Sequence, residues 1–400
     1  MGKKGVVVFM SWINGKNTQP AAKVQHYEVL DSLRGICAVM VVLFHFRANS
    51  HLDPAPLIRN SWLFVDFFFV LSGFVITASY HKRLITKSVS LWAFLIRRFK
   101  RLYPLHIFVL AIFVLTELLI FLLEPILGGI SRKPFADSHS LSLLPENVFL
   151  LQSLNISGEG SWNVPAWSIS AEMWTYLVFA IAVVCDRIGR FFFYTATLVG
   201  VPLIILIFHG GTLTLEADGG VLRCLMGFGL GSLLYHYFKT PPSVTALTRH
   251  LETPMIVAVI LFVWTAPGLG ITMLAPLVFA AAIWIFVNER GPISAFLKHR
   301  FFLLLGALSY SIYMTHTYLH ARLTDIFQIS EHWFDISFFS DPAGRFFGKT
   351  LFAGDLFVLF GLALTIGISW LTYTYIERPG QRITFAFISR WKKQRGNSNG

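Results

Sequence analysis

The feature that most constrains this chain is a series of apolar stretches that recurs along its whole length. Most of them approach the length of about 20 residues that a helix needs to cross the hydrocarbon core of a bilayer. Charged residues make up only 14% of the chain, whereas they approach a quarter of an ordinary soluble domain. The sequence therefore predicts an all-α, polytopic bundle of about ten transmembrane helices, over 36–52, 61–80, 104–124, 166–185, 191–208, 221–238, 254–267, 271–288, 302–321 and 352–375.

Basic residues mark one side of this bundle. They concentrate in the N-terminal arm, in alternate connections and in the C-terminal tail, while the opposite connections carry more acids. Because cytoplasmic loops are enriched in Lys and Arg, both termini are predicted to be cytoplasmic. The chain then divides into a cytoplasmic extension (1–28), a membrane domain (29–380) and a basic cytoplasmic tail (381–400). The net charge of +12 reflects this orientation signal and does not indicate a nucleic-acid partner.

The three cysteines are Cys37, Cys185 and Cys224, and all of them fall within apolar stretches. This placement is typical of small buried hydrophobic residues. It does not fit a disulfide framework or a metal site, so neither is predicted.

Ionisable side chains inside the predicted spans are the first candidates for function, because each is costly in lipid unless it is paired or hydrated. These residues are Arg34, His45, Asp66, Glu172 and His316. Arg34 and His45 are separated by eleven positions, which places them within about 20° on one helix face and about 16 Å apart along the axis. Arg34 would lie at the cytoplasmic rim, where it also fits a simple anchor. His45 would lie near the bilayer midplane, where it also fits a helix-packing hydrogen bond.

The second predicted span carries Asp66, followed by Ser72 and Gly73. Asp66 has no basic residue nearby on its own helix and therefore needs a partner from another one. We expect His45 in this role, since a carboxylate can fix the tautomer of an imidazole. Gly73 permits a close backbone approach and also fits ordinary helix packing.

A dense basic cluster precedes the third predicted span. It contains Arg97, Arg98 and Arg101. The orientation signal alone explains such a cluster. Guanidinium groups also match phosphate oxygens in bidentate fashion, so the cluster is equally suited to a nucleotide-bearing donor.

Further polar side chains lie at the beginning of the fourth predicted span and within the ninth. The segment WSISAE places Trp167, Ser168 and Glu172 near an outer interface, where indoles commonly anchor. The segment SYSIYMTH places Tyr310 and His316 in the ninth span. Two outer connections, at 125–165 and 322–351, exceed the usual loop length and fit a lid, a re-entrant element or a surface loop.

Ordered by depth, these residues form a path across the membrane. Arginines lie at the cytoplasmic rim, His45 and Ser72 near the middle, and Asp66 and Glu172 toward the outside. A neutral His can act as general base toward an acceptor hydroxyl, and a nearby carboxylate raises its basicity. The arginines would bind the phosphates of the donor and keep its acyl end pointing inward. Such a path could join substrates from opposite faces of the membrane, and acyl transfer from a thioester to a hydroxyl is one reaction that it suits.

The same segments resemble the acyltransferase-3 family of membrane acyltransferases. The shared segments are LDSLRG through FH, FFFVLSGF, RRFKRLYP, WSISAE, SYSIYMTH and IERP, and they cover nearly the whole membrane domain. The resemblance implies a ten-helix core and an acyl-CoA co-substrate from the cytoplasm, usually acetyl-CoA, with no tightly bound cofactor. It also implies a carbohydrate or glycolipid acceptor on the extracytoplasmic side of a bacterial inner membrane.

The resemblance further implies roles for individual residues. The essential His, the paired Arg, the basic motif and the acid of the family map on His45, Arg34, Arg97, Arg98, Arg101 and Glu172. Many relatives have two consecutive acids at the last position, whereas Met173 follows Glu172 here. This departure argues against a role that needs two adjacent carboxylates.

A proton-coupled exporter or flippase is the main alternative, because intramembrane His, Asp and Glu also mark proton relays. A transporter predicts repeat symmetry and broken helices in matching positions, and the sequence shows neither. A non-catalytic scaffold would have no use for a buried His45.

Overall fold

The computed structural model describes residues 27–130, 132–158, 160–237, 245–341 and 346–382. Within these ranges the chain is helical almost throughout and contains no β-strand, which confirms the all-α bundle. One main helix lies at each of the predicted spans: α1 Glu28–His45, α2 Phe64–Ile85, α3 Leu91–Leu127, α4 Ala166–Val184, α5 Asp186–Phe208, α6 Gly220–Tyr237, α7 Thr245–Leu269, α8 Ala275–Phe286, α9 Arg300–Phe334 and α10 Leu351–Thr372. The predicted extension (1–28) and tail (381–400) lie almost entirely outside the described residues.

Six of these helices are long and apolar enough to cross a membrane, counting only the described residues: α2, α3, α4, α5, α7 and α10. α8 with its first turn, Thr272–Phe286, is apolar but shorter. α1, α6 and α9 are not in this set, although they occupy predicted spans. The chain is therefore an integral membrane protein, while the count of ten spans stays a prediction.

α1 begins and ends earlier than the predicted span 36–52. It runs Glu28–His45, so His45 is the last residue of the helix and not a mid-helix residue. The helix stops because Phe46 turns out of it and buries its ring against His320 and Phe357, with centroids 5.0 and 6.1 Å away. Aromatic burial at this position ends the helix in an apolar stretch whose pattern predicts its continuation.

Other helix ends also differ from the sequence prediction. α9 extends beyond 302–321 to Phe334, so the second long outer connection begins at Asp335 and not at 322. Cys185, predicted to be buried, is exposed because it directly follows the last turn of α4. Cys37 and Cys224 are buried, as predicted.

Two closely packed helix pairs form the centre of the bundle, α1 with α9 and α2 with α6. Gly35 of α1 lies against the backbone of Leu305 and Gly306, and a Cβ at Gly35 would collide with it. Gly73 of α2 lies in the same way against the backbone of Phe228 in α6. In lipid, close approach at small residues is a main source of helix association. Gly73 therefore has the packing role and brings the side chains of α2 and α6 together.

The first long outer connection is folded against the bundle. Arg132 in this loop donates to both carboxylate oxygens of Glu117 in α3, at 2.6 and 2.7 Å, and lies 3.4 Å from Asp325 in α9. Arg322 of α9 also pairs with Asp325, at 3.0 Å. Trp162, near the end of the loop, is buried. The loop therefore packs against the helices, and ion pairs with α3 and α9 hold it there. One of these charges, the buried Glu117, was not identified from the sequence.

Candidate active site

His45 faces the central helix α9 from the end of α1. Its Nδ1 lies 2.9 Å from the Val41 carbonyl and 3.2 Å from Nε2 of His316. The Nδ1 of His316 lies 3.2 Å from the Ile312 carbonyl. A carbonyl oxygen only accepts, so both Nδ1 atoms carry the proton in the neutral rings, and Nε2 of His316 accepts from His45. The backbone therefore fixes the tautomer that leaves Nε2 of His45 as a basic nitrogen.

A small cavity lies beside this imidazole. The centre of a water molecule can reach a volume of about 20 Å³ within it, which is room for one or two waters. Apolar and aromatic side chains form most of the wall, together with the polar groups of His45, Glu216 and Arg223. The complete lining is Val41, Phe44, His45, Trp62, Val65, Val164, Pro165, Trp167, Glu216, Arg223 and Tyr313. We refer to this site as the His45 cavity.

Asp66 lies next to the His45 cavity and is paired with Arg223 of α6. The two carboxylate oxygens accept from Nε and Nη2 of Arg223, at 2.9 and 2.7 Å, and both side chains are buried. The predicted pairing of Asp66 with His45 is therefore wrong. A buried carboxylate is best compensated by a full positive charge in bidentate geometry, which an arginine provides and a neutral imidazole does not.

Arg223 is the central residue that the sequence reasoning missed. Its guanidinium lies over the rings of Trp62 and Trp167, 5.1 and 5.5 Å from their centroids, and Nη2 also donates to the Trp62 carbonyl at 3.1 Å. Trp167 is thus part of the cavity wall, whereas the sequence suggested an interfacial anchor. Arg223 could have been identified from the sequence, because it is a charged residue inside the predicted span 221–238. Like Asp66, it would be costly in lipid without a partner.

A second polar cluster joins Glu172 of α4 to Ser72 of α2. The Glu172 carboxylate accepts from the hydroxyls of Ser72 and Tyr176, and these hydroxyls lie 2.9 Å apart. We call these three residues the Glu172 cluster. The sequence placed Ser72 beside His45 and Glu172 toward the outside, but the structure brings Ser72 and Glu172 together. Tyr176 was missed, although it follows Glu172 by one helical turn.

α2 orders these groups along one axis. Asp66 lies near its first turn, Ser72 follows after about 9 Å, and Tyr80 after about another 12 Å at the rise of an α-helix. His45 and Trp62 line the cavity at the Asp66 end. The structure therefore contains polar groups at three levels from one end of α2 to the other.

The third level is basic. Arg98 lies 3.4 Å from the Tyr80 hydroxyl and 5.2 Å from the centroid of its ring, and Arg97 is half-buried on the same helix. Arg101 is exposed, yet it lies within electrostatic range of Glu172 and Tyr176. Arg101 thus connects the basic level electrostatically to the Glu172 cluster.

Arg34 is built into the contact between α1 and α9. It donates to the Ser309 hydroxyl at 2.8 Å and to the Gly306 carbonyl at 2.9 Å, and it pairs with Asp31 at 3.0 Å. Arg34 and His45 therefore both contact α9, as their shared helix face predicts. Most donor groups of Arg34 are already used within the protein, which distinguishes it from Arg101.

Two further predicted residues serve as links between segments. The Tyr310 hydroxyl donates to the Leu102 carbonyl at 2.5 Å and joins α9 to α3. The Ser168 hydroxyl donates to the Pro165 carbonyl at 2.9 Å in the first turn of α4. The first contact holds α9 against α3, and the second stabilises the first turn of α4.

The apolar helices define an integral membrane protein, and it holds an oriented imidazole, a buried ion pair and a cluster of arginines. A family model for an acyltransferase domain, acyltransferase 3, matches residues 27–374. The chain belongs to this family, as its motifs predict, and it is a membrane O-acyltransferase.

Two curated proteins are similar to this chain. Protein 2 in picA locus of Rhizobium radiobacter is 32% identical over 166 residues, which cover 39% of this chain and 82% of that protein. Acyltransferase MdmB of Streptomyces mycarofaciens is 26% identical over 390 residues, which cover 88% of this chain and 91% of that protein. No solved structure matches the chain.

Proposed function

We propose that the protein transfers an acyl group, acetyl by default, from cytoplasmic acyl-CoA to a hydroxyl of a carbohydrate or glycolipid. The acceptor binds on the extracytoplasmic side of a bacterial cytoplasmic membrane, at the His45 cavity. The orientation of His45 is the observation that carries this proposal. Its Nε2 is basic because Nδ1 is engaged by the Val41 carbonyl, and the ring lines a cavity.

The chemistry assigned to His45 is general-base catalysis. Nε2 takes the proton of the acceptor hydroxyl as the oxygen attacks the thioester carbonyl carbon. The new C–O bond forms, the C–S bond breaks, and the departing CoA sulfur takes the proton back from the imidazolium. His316 accepts from Nδ1–H of His45 and helps hold the ring in this tautomer.

The donor is assigned to the basic level at the other end of α2. Arg97, Arg98 and Arg101 offer guanidinium groups that suit the phosphates of CoA. Asp66 and Tyr80 are fourteen positions apart on α2, which corresponds to about 21 Å along the axis. The pantetheine arm would cross this distance past the Glu172 cluster, with its acyl end toward His45.

The test compares the wild-type protein with His45→Ala and His45→Gln in membrane vesicles that receive labelled acetyl-CoA. Label is followed into carbohydrate and glycolipid. We expect both variants to lose about 10²- to 10⁴-fold in rate, the usual contribution of a general base. His250→Ala, at an exposed histidine in α7, is the matched control and should keep full activity.

Two outcomes would contradict the proposal. Unchanged transfer in His45→Ala would exclude His45 as the base. No consumption of thioester by the wild type with any acceptor would exclude acyl transfer at this site and favour export of a glycan or lipid-linked substrate.

A further inference from the structure

Glu216, a carboxylate other than Asp66, lines the His45 cavity. Glu216 lies in the connection between α5 and α6 and lines the same space as the imidazole. Its position is fixed by the backbone around it, because its N–H donates to Asp218 at 2.8 Å and its carbonyl accepts from Gly220 at 2.8 Å. The preceding Leu215 is buried. The backbone at Glu216 is therefore held in place beside the cavity.

Arg223 donates no hydrogen bond to the carboxylate of Glu216. Arg223 gives Nε and Nη2 to Asp66, and its other bonds go to the carbonyls of Trp62 and Leu215. In the part of the chain that the structure describes, the Glu216 carboxylate accepts no hydrogen bond. Asp66 and Glu216 together thus exceed the positive charge of Arg223 by one.

The residues that line the cavity thus include two hydrogen-bond acceptors. One is Nε2 of His45 and the other is the carboxylate of Glu216. A molecule that complements both must bring two O–H donors a short distance apart. Two hydroxyls on neighbouring carbons of a sugar ring meet this requirement, and together they need about the space of the one or two waters for which the cavity has room.

We propose that Glu216 is a specificity-determining residue that binds a second hydroxyl of the acceptor, next to the hydroxyl that His45 deprotonates. The acceptor class is accordingly a vicinal diol on a saturated ring. This inference rests on the proposed acyl transfer at His45.

Two simple alcohols test this assignment in proteoliposomes with labelled acetyl-CoA. trans-Cyclohexane-1,2-diol carries the neighbouring hydroxyl, and cyclohexanol has the same ring without it. One hydrogen bond to a charged group corresponds to about 10- to 100-fold in kcat/KM. We expect the wild type to prefer the diol by about tenfold or more, and Glu216→Gln and Glu216→Ala to lose most of this preference.

The readouts separate binding specificity from a structural defect. The KM for acetyl-CoA should not change in Glu216→Gln, whereas a misfolded variant would lose donor binding and both alcohols together. Glu124→Gln, at an exposed acid near the end of α3, is the matched control and should keep the preference for the diol.

Each result has a defined meaning. Equal use of both alcohols by the wild type, or an unchanged preference in Glu216→Ala, would overturn the role of Glu216 while leaving acyl transfer intact. Acylation of either alcohol that survives His45→Ala would instead contradict the proposed function. Acylation of neither alcohol by the wild type would overturn the diol class.

Discussion

The His45 cavity and the Glu172 cluster both place polar side chains among apolar helices, but they satisfy these side chains in different ways. Beside the cavity, Asp66 meets Arg223 through two hydrogen bonds, and two tryptophans cover the guanidinium. In the Glu172 cluster, the carboxylate accepts from the neutral hydroxyls of Ser72 and Tyr176. The charge of Asp66 is neutralised by a cation, whereas the two hydrogen-bond donors to Glu172 are neutral.

The two regions suit different parts of substrate binding. A closed ion pair keeps its geometry whether or not a substrate is present, so it suits the site where a hydroxyl must be oriented. Arg101 is exposed, and among the described residues Glu172 accepts its hydrogen bonds from neutral hydroxyls, so this arginine can bind an anionic ligand. We therefore expect the acceptor hydroxyl to be oriented at the His45 cavity and the donor to bind at the arginines near Glu172.

The largest effect should come from breaking the pair of Asp66 and Arg223. Removing one partner leaves an unpaired buried charge, so Asp66→Leu or Arg223→Leu alone should cost about 3–5 kcal/mol of stability. The double variant should recover much of this loss, because it removes both charges. Thermal unfolding in detergent measures all three proteins.

The matched control for this pair is Arg59→Ala. Arg59 pairs with Asp53 at 2.5 Å in the connection between α1 and α2, where both side chains are partly exposed. This substitution should cost about 1 kcal/mol or less. Equal losses of stability at Arg59 and Arg223 would show that the pair of Asp66 and Arg223 stabilises the fold no more than a surface ion pair does.

The next largest effect concerns donor binding. Arg101→Ala and Arg98→Ala should raise the KM for acetyl-CoA about tenfold or more, since each removes a charge-assisted contact to phosphate. Lysine at either position should restore part of the affinity, because it keeps the charge but not the planar fork. Initial rates over a range of acetyl-CoA concentrations measure the change.

Arg249→Ala, at an exposed arginine in α7, should leave this KM unchanged. A wild-type KM in both Arg98→Ala and Arg101→Ala would place the donor elsewhere.

A smaller effect should follow from removing one hydroxyl of the Glu172 cluster. Tyr176→Phe and Ser72→Ala each remove one donor to the same carboxylate, so each should cost about 1 kcal/mol. Because they share Glu172, the effects should not add, with an interaction energy of about 0.5 kcal/mol or more in a double-mutant cycle. Unfolding free energies of the four proteins measure it, and strict additivity would count against a shared cluster.

The smallest effect is a dependence of acceptor choice on pH. Burial raises the pKa of Glu216, and the nearby Asp218 raises it further, while Arg223 opposes both. Glu216 should therefore take up a proton at a higher pH than an exposed glutamate, whose pKa is about 4.3. On acidification the preference for the diol should fall as the carboxylate is neutralised.

The ratio of diol to cyclohexanol acylation between pH 8 and pH 5 isolates this effect, since protonation of His45 slows both reactions alike. The ratio in Glu216→Gln should not vary with pH. A wild-type ratio that stays constant over the same range would contradict the assigned role of Glu216.

Much of the fold was predictable, because burial of apolar stretches in lipid leaves few alternatives to helices. Every predicted span contains a helix, but the ends of α1 and α9 were not predictable from apolar runs alone. α1 ends at His45 because Phe46 packs against α10 and α9. α9 continues to Phe334 because its polar residues, such as Asp325, find partners in the outer loop.

The candidate site was predictable residue by residue but not in its pairings. His45, Asp66 and Glu172 were found because ionisable groups in apolar stretches are costly. Asp66 receives its partner Arg223 from α6 because α2 and α6 approach closely at positions such as Gly73. This contact joins distant parts of the chain, so a local sequence pattern does not reveal it. Glu216 gave no signal, because an acid in a polar connection carries no apparent cost.

The most direct test of the account is the sidedness of the donor, measured in sealed vesicles of defined orientation with labelled acetyl-CoA, which does not cross membranes. The account assigns the arginines to the cytoplasmic face and His45 to the opposite end of α2. Inside-out vesicles, which expose the cytoplasmic face, should transfer label when acetyl-CoA is added outside, and right-side-out vesicles should not. Equal transfer in both orientations, or transfer only in right-side-out vesicles, would contradict the account.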